Sequence, residues 1–204
     1  MEIMAESIDK EILTNIKKRG RGFVFFARGY SHFSNPKRVQ KALEQLVANG
    51  SIIRVARGVY CYPKKDKVWG TGYLYPSCDD IAYAIAQKEG ARIVPTGIHA
   101  LNRVGLSEQL PLQFVYLTSG RTKNVKLENG QELHFVHTAL RNLQFYSRNA
   151  MLVTFALKEI GKENITDEQK ERVLQFLANE KKAHLKHDLA LMPEWIQIII
   201  QQLL

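Results

Sequence analysis

Cysteine is nearly absent: Cys61 and Cys78 are the only two in 204 residues, and neither lies in a Cys-x-x-Cys or Cys/His spacing. That excludes a disulfide-stapled scaffold and a zinc-ribbon module, and leaves two ordinary reduced thiols as the expectation. Long apolar runs are absent too. The longest, such as FVFF and WIQIII, fall far short of the roughly 20 residues that a membrane-spanning helix needs. The start, MEIMAESIDKE, is acidic where a secretory signal would be basic, so the expectation is a soluble, cytoplasmic protein with no membrane partner. Internal repeats and low-complexity segments are missing as well. With a hydrophobic content of 45% the chain can bury a proper core, which excludes disorder and suits one large domain or two small ones.

What is present is charge, unevenly placed. The chain carries a net +9, and the segment through Lys67 holds 14 Lys and Arg against 6 Asp and Glu, a local excess of +8. The remainder is close to neutral. Such asymmetry points to a basic module that meets a polyanion, joined to a module with another task.

The local pattern of the first third gives that charge a shape. In SIDKEILTNIKKRG, Ile8, Ile12, Leu13 and Ile16 form one apolar stripe at helical period, with Ser7 as the expected cap and Gly20 as the stop. GFVFF reads as a short apolar entry and ARGYSHF as a short helix. SNPKRVQKALEQLVANG then has Asn35 at the N-cap, Pro36 at the first helical position and Gly50 just past the end. Val39, Ala42, Leu43, Leu46 and Val47 share its core face, so Lys37, Lys41, Glu44 and Gln45 point outward, with Arg38 and Gln40 on the flanks. SIIRVARGVYCYP follows as a β-hairpin that reverses near Ala56, Arg57 and Gly58.

Helix, short helix, helix and hairpin is the element order of a winged helix-turn-helix. In that arrangement the third helix enters the major groove, and Lys37, Arg38, Gln40, Lys41 and Gln45 would face phosphates and base edges. A hairpin tip bearing Arg54 and Arg57 would lie beside the flanking backbone or minor groove. The plainer reading is a solvated basic surface, or a winged helix that serves only protein contacts.

A junction is expected in WGTGYLYPSCDD, residues 69–80, giving domains 1–68 and 69–204. Beyond it the pattern predicts a helix in DDIAYAIAQKEG with Ser77 and Asp80 spaced like a capping box. A strand in ARIVPTG, a short helix in GIHALNRVG and a buried strand in LQFVYLTS follow. KNVKLENGQELHFV reads as a hairpin about Asn129-Gly130. The chain then closes with helices RNAMLVTFALKEIG, TDEQKERVLQFLANE and PEWIQIIIQQLL, the second opening on a Thr166/Gln169 capping box. The fold class is therefore α+β: an N-terminal winged helix-turn-helix and a mixed α+β C-terminal domain with a helical end.

No catalytic constellation, metal site or cofactor site emerges from this half. His184, His187 and Asp188 lack metal-ligand spacing and read as a solvated face. The loop Thr118, Ser119, Gly120, Arg121, Lys123 lacks the Walker pattern and reads as a strand-ending turn. Asp79 and Asp80 fit a helix's first turn. WIQIIIQQLL is apolar enough to pack internally or to dock a partner helix, and internal packing is the default.

RVARGVYCYP, preceded by VQKALEQLVANGSI and followed by PTGIHALNRVGLSEQLPLQFVYLTSGRTKNVKL, resembles the AbiEi-type antitoxins of bacterial type IV toxin-antitoxin systems over about residues 8–160. The combination with GLSEQLP and VYLTSG carries more specificity than the hairpin alone. The resemblance implies an N-terminal winged helix that binds inverted repeats in its own promoter and represses the operon. It also implies a C-terminal domain that counters a nucleotidyltransferase-like toxin. By position, the DNA-contacting residues would be Lys37, Arg38, Lys41, Arg54 and Arg57. Gly105, Leu106, Ser107 and Gln109 match a motif of the family, and the tail from about Glu163 to Leu204 has no counterpart in the resemblance.

The expected function is thus a DNA-binding antitoxin and autorepressor, not an enzyme, with two copies on a palindromic operator. Two alternatives stay open: an enzyme that processes nucleic acid on a basic N-terminal platform, and a transcriptional regulator unrelated to toxin-antitoxin function.

Overall fold

Apolar residues at helical spacing make α1 (Ile8–Lys18), whose Ile12 and Ile16 are completely buried. The carbonyl of Ser7 accepts from the amides of Lys10 and Glu11, but its side chain does not cap the helix. The Ser7 hydroxyl instead bonds to Asp9, which holds that carboxyl below its ordinary range. The structure, a computed structural model, describes residues 7–66, 70 and 72–204.

The apolar entry after α1 is a strand, β1 (Val24–Phe26). A 3-10 turn at Ala27–Tyr30 stands where a short helix was expected, and turn residues 31–34 separate it from the Asn35 cap of the next helix. Helix α2 (Pro36–Ala48) starts as its sequence dictates: Asn35 Oδ1 accepts from the Arg38 amide at 3.0 Å, and Pro36 occupies the first turn. Its face Val39, Ala42, Leu43 and Leu46 is buried against Ile12, Ile16, Phe25, Tyr30, Ile52 and Tyr60. Each fully buried Leu or Ile in this set contributes about 1.5–3 kcal/mol.

Strands β2 (Ile53–Ala56) and β3 (Val59–Cys61) form the hairpin, and β1 pairs with β3 on its other side, so the antiparallel order is β1-β3-β2. The two-residue loop turns on Gly58, at a φ of 72° that side chains rarely adopt. A register shift lies between Arg54 and Ala56, and the outer edge of β2 is covered by an isolated bridge from Ala56 to Leu127. Strands β4 (Lys64–Lys65) and β5 (Tyr73–Leu74) make a small antiparallel ribbon.

Two compact units are present. One comprises residues 1–85 together with 125–131, and the other residues 86–124 and 132–204. The 68/69 boundary expected from sequence lies outside the described residues. Residues 72–85 are held to the first unit by tertiary bonds: the Tyr75 hydroxyl donates to the Val55 carbonyl at 3.2 Å, and Cys78 Sγ donates to Gln131 at 3.4 Å. The division falls inside α3 (Cys78–Lys88), whose start is closed by reciprocal bonds between Ser77 and Asp80.

The second unit contains β6 (Ile93–Pro95), α4 (Gly97–Val104), β7 (Phe114–Thr118) and β9 (Glu132–His137), and β8 (Lys123–Lys126) runs across the division after Asn124. The sheet order is β6-β7-β9-β8, with β6 antiparallel and β9 parallel to β7. Tyr116 and Phe135 stack at 5.7 Å within it. At the tip of the β8/β9 hairpin Gly130 alone takes a positive φ, and its amide donates to Leu127, the bulged form of the turn.

Helices α5 (Arg148–Ile160), α6 (Asp167–Leu177), α7 (Lys182–Asp188) and α8 (Glu194–Ile200) complete the unit. The α6 capping box at Thr166 and Gln169 is formed. The C-terminal segment packs inward, since Ile196, Ile199 and Ile200 join Val173, Leu177 and Leu185 in the core around α5. The fold is α+β. Among the described residues, no helix is long and apolar enough to cross a membrane.

Candidate nucleic-acid interface

The outward face of α2 follows from its inward one. With Val39, Ala42, Leu43 and Leu46 committed to the core, Lys37, Arg38, Gln40, Lys41, Glu44 and Gln45 are all exposed. The hairpin adds Arg54 and Arg57, also exposed. Between α2, the 3-10 turn and the hairpin lies a groove of about 550 Å³ that includes Arg28, Gln40, Glu44, Arg54, Arg57 and Tyr60. The structure therefore brings Gln40, Arg54 and Arg57 together. Lys37, Arg38, Lys41 and Gln45 stand on the helix surface outside the groove lining.

The two arginines of RVARGVY are not equivalent. Arg57 occupies the loop itself, beside Gly58, whose carbonyl accepts from the Ala27 amide at 3.1 Å and so ties the tip to the 3-10 turn. Arg54 sits within β2 opposite Tyr60, not at the tip. Its Nε lies 3.1 Å from Glu128 Oε1, and both side chains are about half exposed. Glu128 is carried by the segment that bridges to β2, with its amide donating to the Val55 carbonyl at 3.0 Å. No pattern near Arg54 in sequence announces that partner. Arg28 was also missed, because an arginine in a short turn carries no periodic signal.

Two carboxylates thus stand in or beside the groove. Glu44 accepts from the Gln40 amide group at 2.9 Å, so Gln40 is pre-oriented along the helix. Beneath the groove, burial pushes the Tyr60 hydroxyl above its ordinary pKa against the opposing pull of Arg54. The buried thiol of Cys61 is pushed up to about 12, mainly by burial, and that of Cys78 to about 11. Neither is poised as a nucleophile.

Other sequence candidates resolve into structural roles. Gly105 ends α4 at a φ of 78°, and the Leu106 amide reaches back to the Leu101 carbonyl at 2.8 Å. The Asn102 amide group donates to the carbonyls of Ser107 and Gln109, while Ser107 Oγ accepts from the Gln109 amide. The GLSEQ stretch is a helix stop with its own internal bonding. In the loop after β7, Ser119, Thr118 and Thr122 hydroxyls accept from the amides of Arg92, Gly120 and His137. Those bonds make it a closed turn.

His184 and His187 flank Tyr146, and His187 stacks on that ring at 3.7 Å. Asp188, read from sequence as part of a solvated face, is completely buried and accepts from the amides of Tyr146 and Ser147 at 2.8 and 2.9 Å. It anchors the entry to α5, a role that depends on a contact 41 residues away in the chain. Among the described residues no group of three or more His, Cys, Asp or Glu is placed to hold a metal ion.

No curated protein matches the chain. A family model matches residues 11–185, which spans α1 to α7, and the chain therefore belongs to DUF6088, described as a family of unknown function.

Proposed function

We propose that the first unit is a winged helix-turn-helix that binds double-stranded DNA, with α2 as the recognition helix and the β2/β3 hairpin as the wing. The observation that carries this reading is the shared exposure of Lys37, Arg38, Gln40, Lys41 and Gln45 on a helix flanked by a hairpin whose tip holds Arg57. Lys suits phosphate, Arg reads guanine, Gln reads adenine, and Glu44 can accept from cytosine. The local excess of +8 supplies the counterion-release term that dominates affinity.

We further propose that the chain acts as an AbiEi-like antitoxin of a type IV system. It represses its own operon by binding promoter inverted repeats in two copies, and counters a nucleotidyltransferase-like toxin through its second unit without itself being an enzyme. The resemblance of RVARGVYCYP, GLSEQLP and VYLTSG supports this part. The DNA reading is tested by fluorescence anisotropy of the chain with its upstream promoter segment and with a scrambled duplex. Preferential binding of the promoter, weakened about tenfold or more by Arg57→Ala with Lys37→Ala, is the expected result; equal, mutation-insensitive binding to both duplexes defeats it. The antitoxin reading is tested by co-expression with the neighbouring gene, where the chain must relieve growth arrest.

A further inference from the structure

The end of the first sheet away from the wing tip carries a second cationic surface that the recognition helix does not use. The β1/β3 ladder continues past Val24 and Cys61: the Gly22 amide donates to the Tyr62 carbonyl at 2.6 Å, and the Tyr62 amide to the Phe23 carbonyl at 2.9 Å. That continuation brings residues 21–23 against 62–64. Arg21 Nη1 donates to the Pro63 carbonyl at 2.8 Å, and its guanidinium lies 4.6 Å from the centre of the Tyr62 ring. The Arg19 guanidinium lies 5.8 Å from the centre of the Phe23 ring.

Lys64 crosses Gly22 so closely that a Cβ there would come within 2.8 Å of its Cε, and Gly22 has a φ of 92°. Lys65 follows on the β4 ribbon. Arg19, Arg21, Lys64 and Lys65 are all exposed, and among the described residues none is ion-paired with an acid, in contrast to Arg54. Two guanidiniums held on aromatic rings and one lysine stem seated on a glycine lose less side-chain freedom on binding than solvated chains do.

We propose that Arg19, Arg21, Lys64 and Lys65 form a second phosphate-contacting surface that takes the DNA backbone flanking the site read by α2 and the wing. The inference rests on the DNA reading above and extends its footprint. From Val59 to Cys61 and on to Lys64 the surface lies on the order of 15 Å from the tip, at about 3.3 Å per extended residue. A duplex limited to the inverted repeat would therefore leave it without a partner, whereas extended flanks would reach it.

The experiment measures binding of the full chain to two promoter duplexes, one limited to the inverted repeat and one extended by about 8 base pairs on each side, across a range of salt. The variants are Arg19→Ala/Lys64→Ala/Lys65→Ala together, which leaves the Arg21 contact to Pro63 intact, and Arg57→Ala as a control. The wild type should bind the long duplex at least threefold more tightly. The triple variant should lose that gain, keep its affinity for the short duplex within about twofold, and show a salt slope on the long duplex reduced by up to about 2.7, at 0.9 per lost phosphate contact. Equal gain and slope in wild type and triple variant overturn the second surface while Arg57→Ala still weakens both duplexes. A wild type that binds neither duplex overturns the DNA reading and this inference with it.

Discussion

Replacing Glu128 by glutamine should tighten DNA binding, even though it removes an ion-pair partner from a residue proposed to contact DNA. The Arg54–Glu128 pair has good distance, 3.1 Å, but both side chains are about half exposed. Such a pair contributes roughly 0.2–1 kcal/mol to folding, so Glu128→Gln should cost less than about 1 kcal/mol of stability. In the proposed DNA complex the same carboxylate would lie near the duplex. At on the order of 8 Å from one phosphate, in a medium close to water, the repulsion is about 0.5 kcal/mol, which is roughly a twofold loss of affinity. Release of Arg54 adds a comparable gain, so about two- to fourfold tighter binding is expected at low salt, fading as the Debye length contracts to about 8 Å near physiological ionic strength. Arg54→Ala should accordingly cost less affinity than Arg57→Ala. Anisotropy titrations of the single and double variants form a thermodynamic cycle that reads the coupling directly. If Glu128→Gln weakens binding threefold or more, the carboxylate holds Arg54 in a productive pose, and the account of it as a competing charge is wrong.

Asp188→Asn should destabilise the second unit by at least about 2 kcal/mol, because it replaces the buried acceptor of the Tyr146 and Ser147 amides with a weaker, half-donor group; urea denaturation monitors it. Asn35→Ala should cost about 1 kcal/mol by leaving the Arg38 amide without its cap, with α2 fraying seen as faster amide exchange. Leu43→Ala, at a completely buried site, should cost about 2–5 kcal/mol in the same assay. Cys61 and Cys78 should resist an exposed-thiol reagent at pH 8 in the folded chain and react once it is unfolded. With folded pKa values of about 12 and 11 against an ordinary 9.0, both contribute stability that is full below pH 9 and declines as pH rises toward 11–12, since only the unfolded chain releases those protons. A stability curve flat from pH 8 to 11 would contradict this.

The reach of local patterns explains what was legible. Helix α2 was readable to the residue because its cap, its proline, its apolar period and its glycine stop are all local and agree. The Thr166/Gln169 box and the Asn129-Gly130 hairpin were readable for the same reason. Ser7 shows the limit even of a local rule: a capping residue type stood at the right place, yet its hydroxyl went to Asp9. The motif Gly105 to Gln109 was visible as a motif, but only the bonds among Asn102, Ser107 and Gln109 reveal that it stops a helix.

By itself, then, the sequence determined the α+β class, the exposed cationic face of α2 and the hairpin beside it, because periodicity decides which side chains cannot enter a core. Tertiary structure alone decided what those cations meet. Glu128 reaches Arg54 from 74 positions away, Asp188 anchors the entry to a helix that begins 40 residues earlier, and Arg21 and Lys64 gather at one sheet end through strand pairing. Such pairings depend on how separate elements are brought together, and no local spacing encodes them.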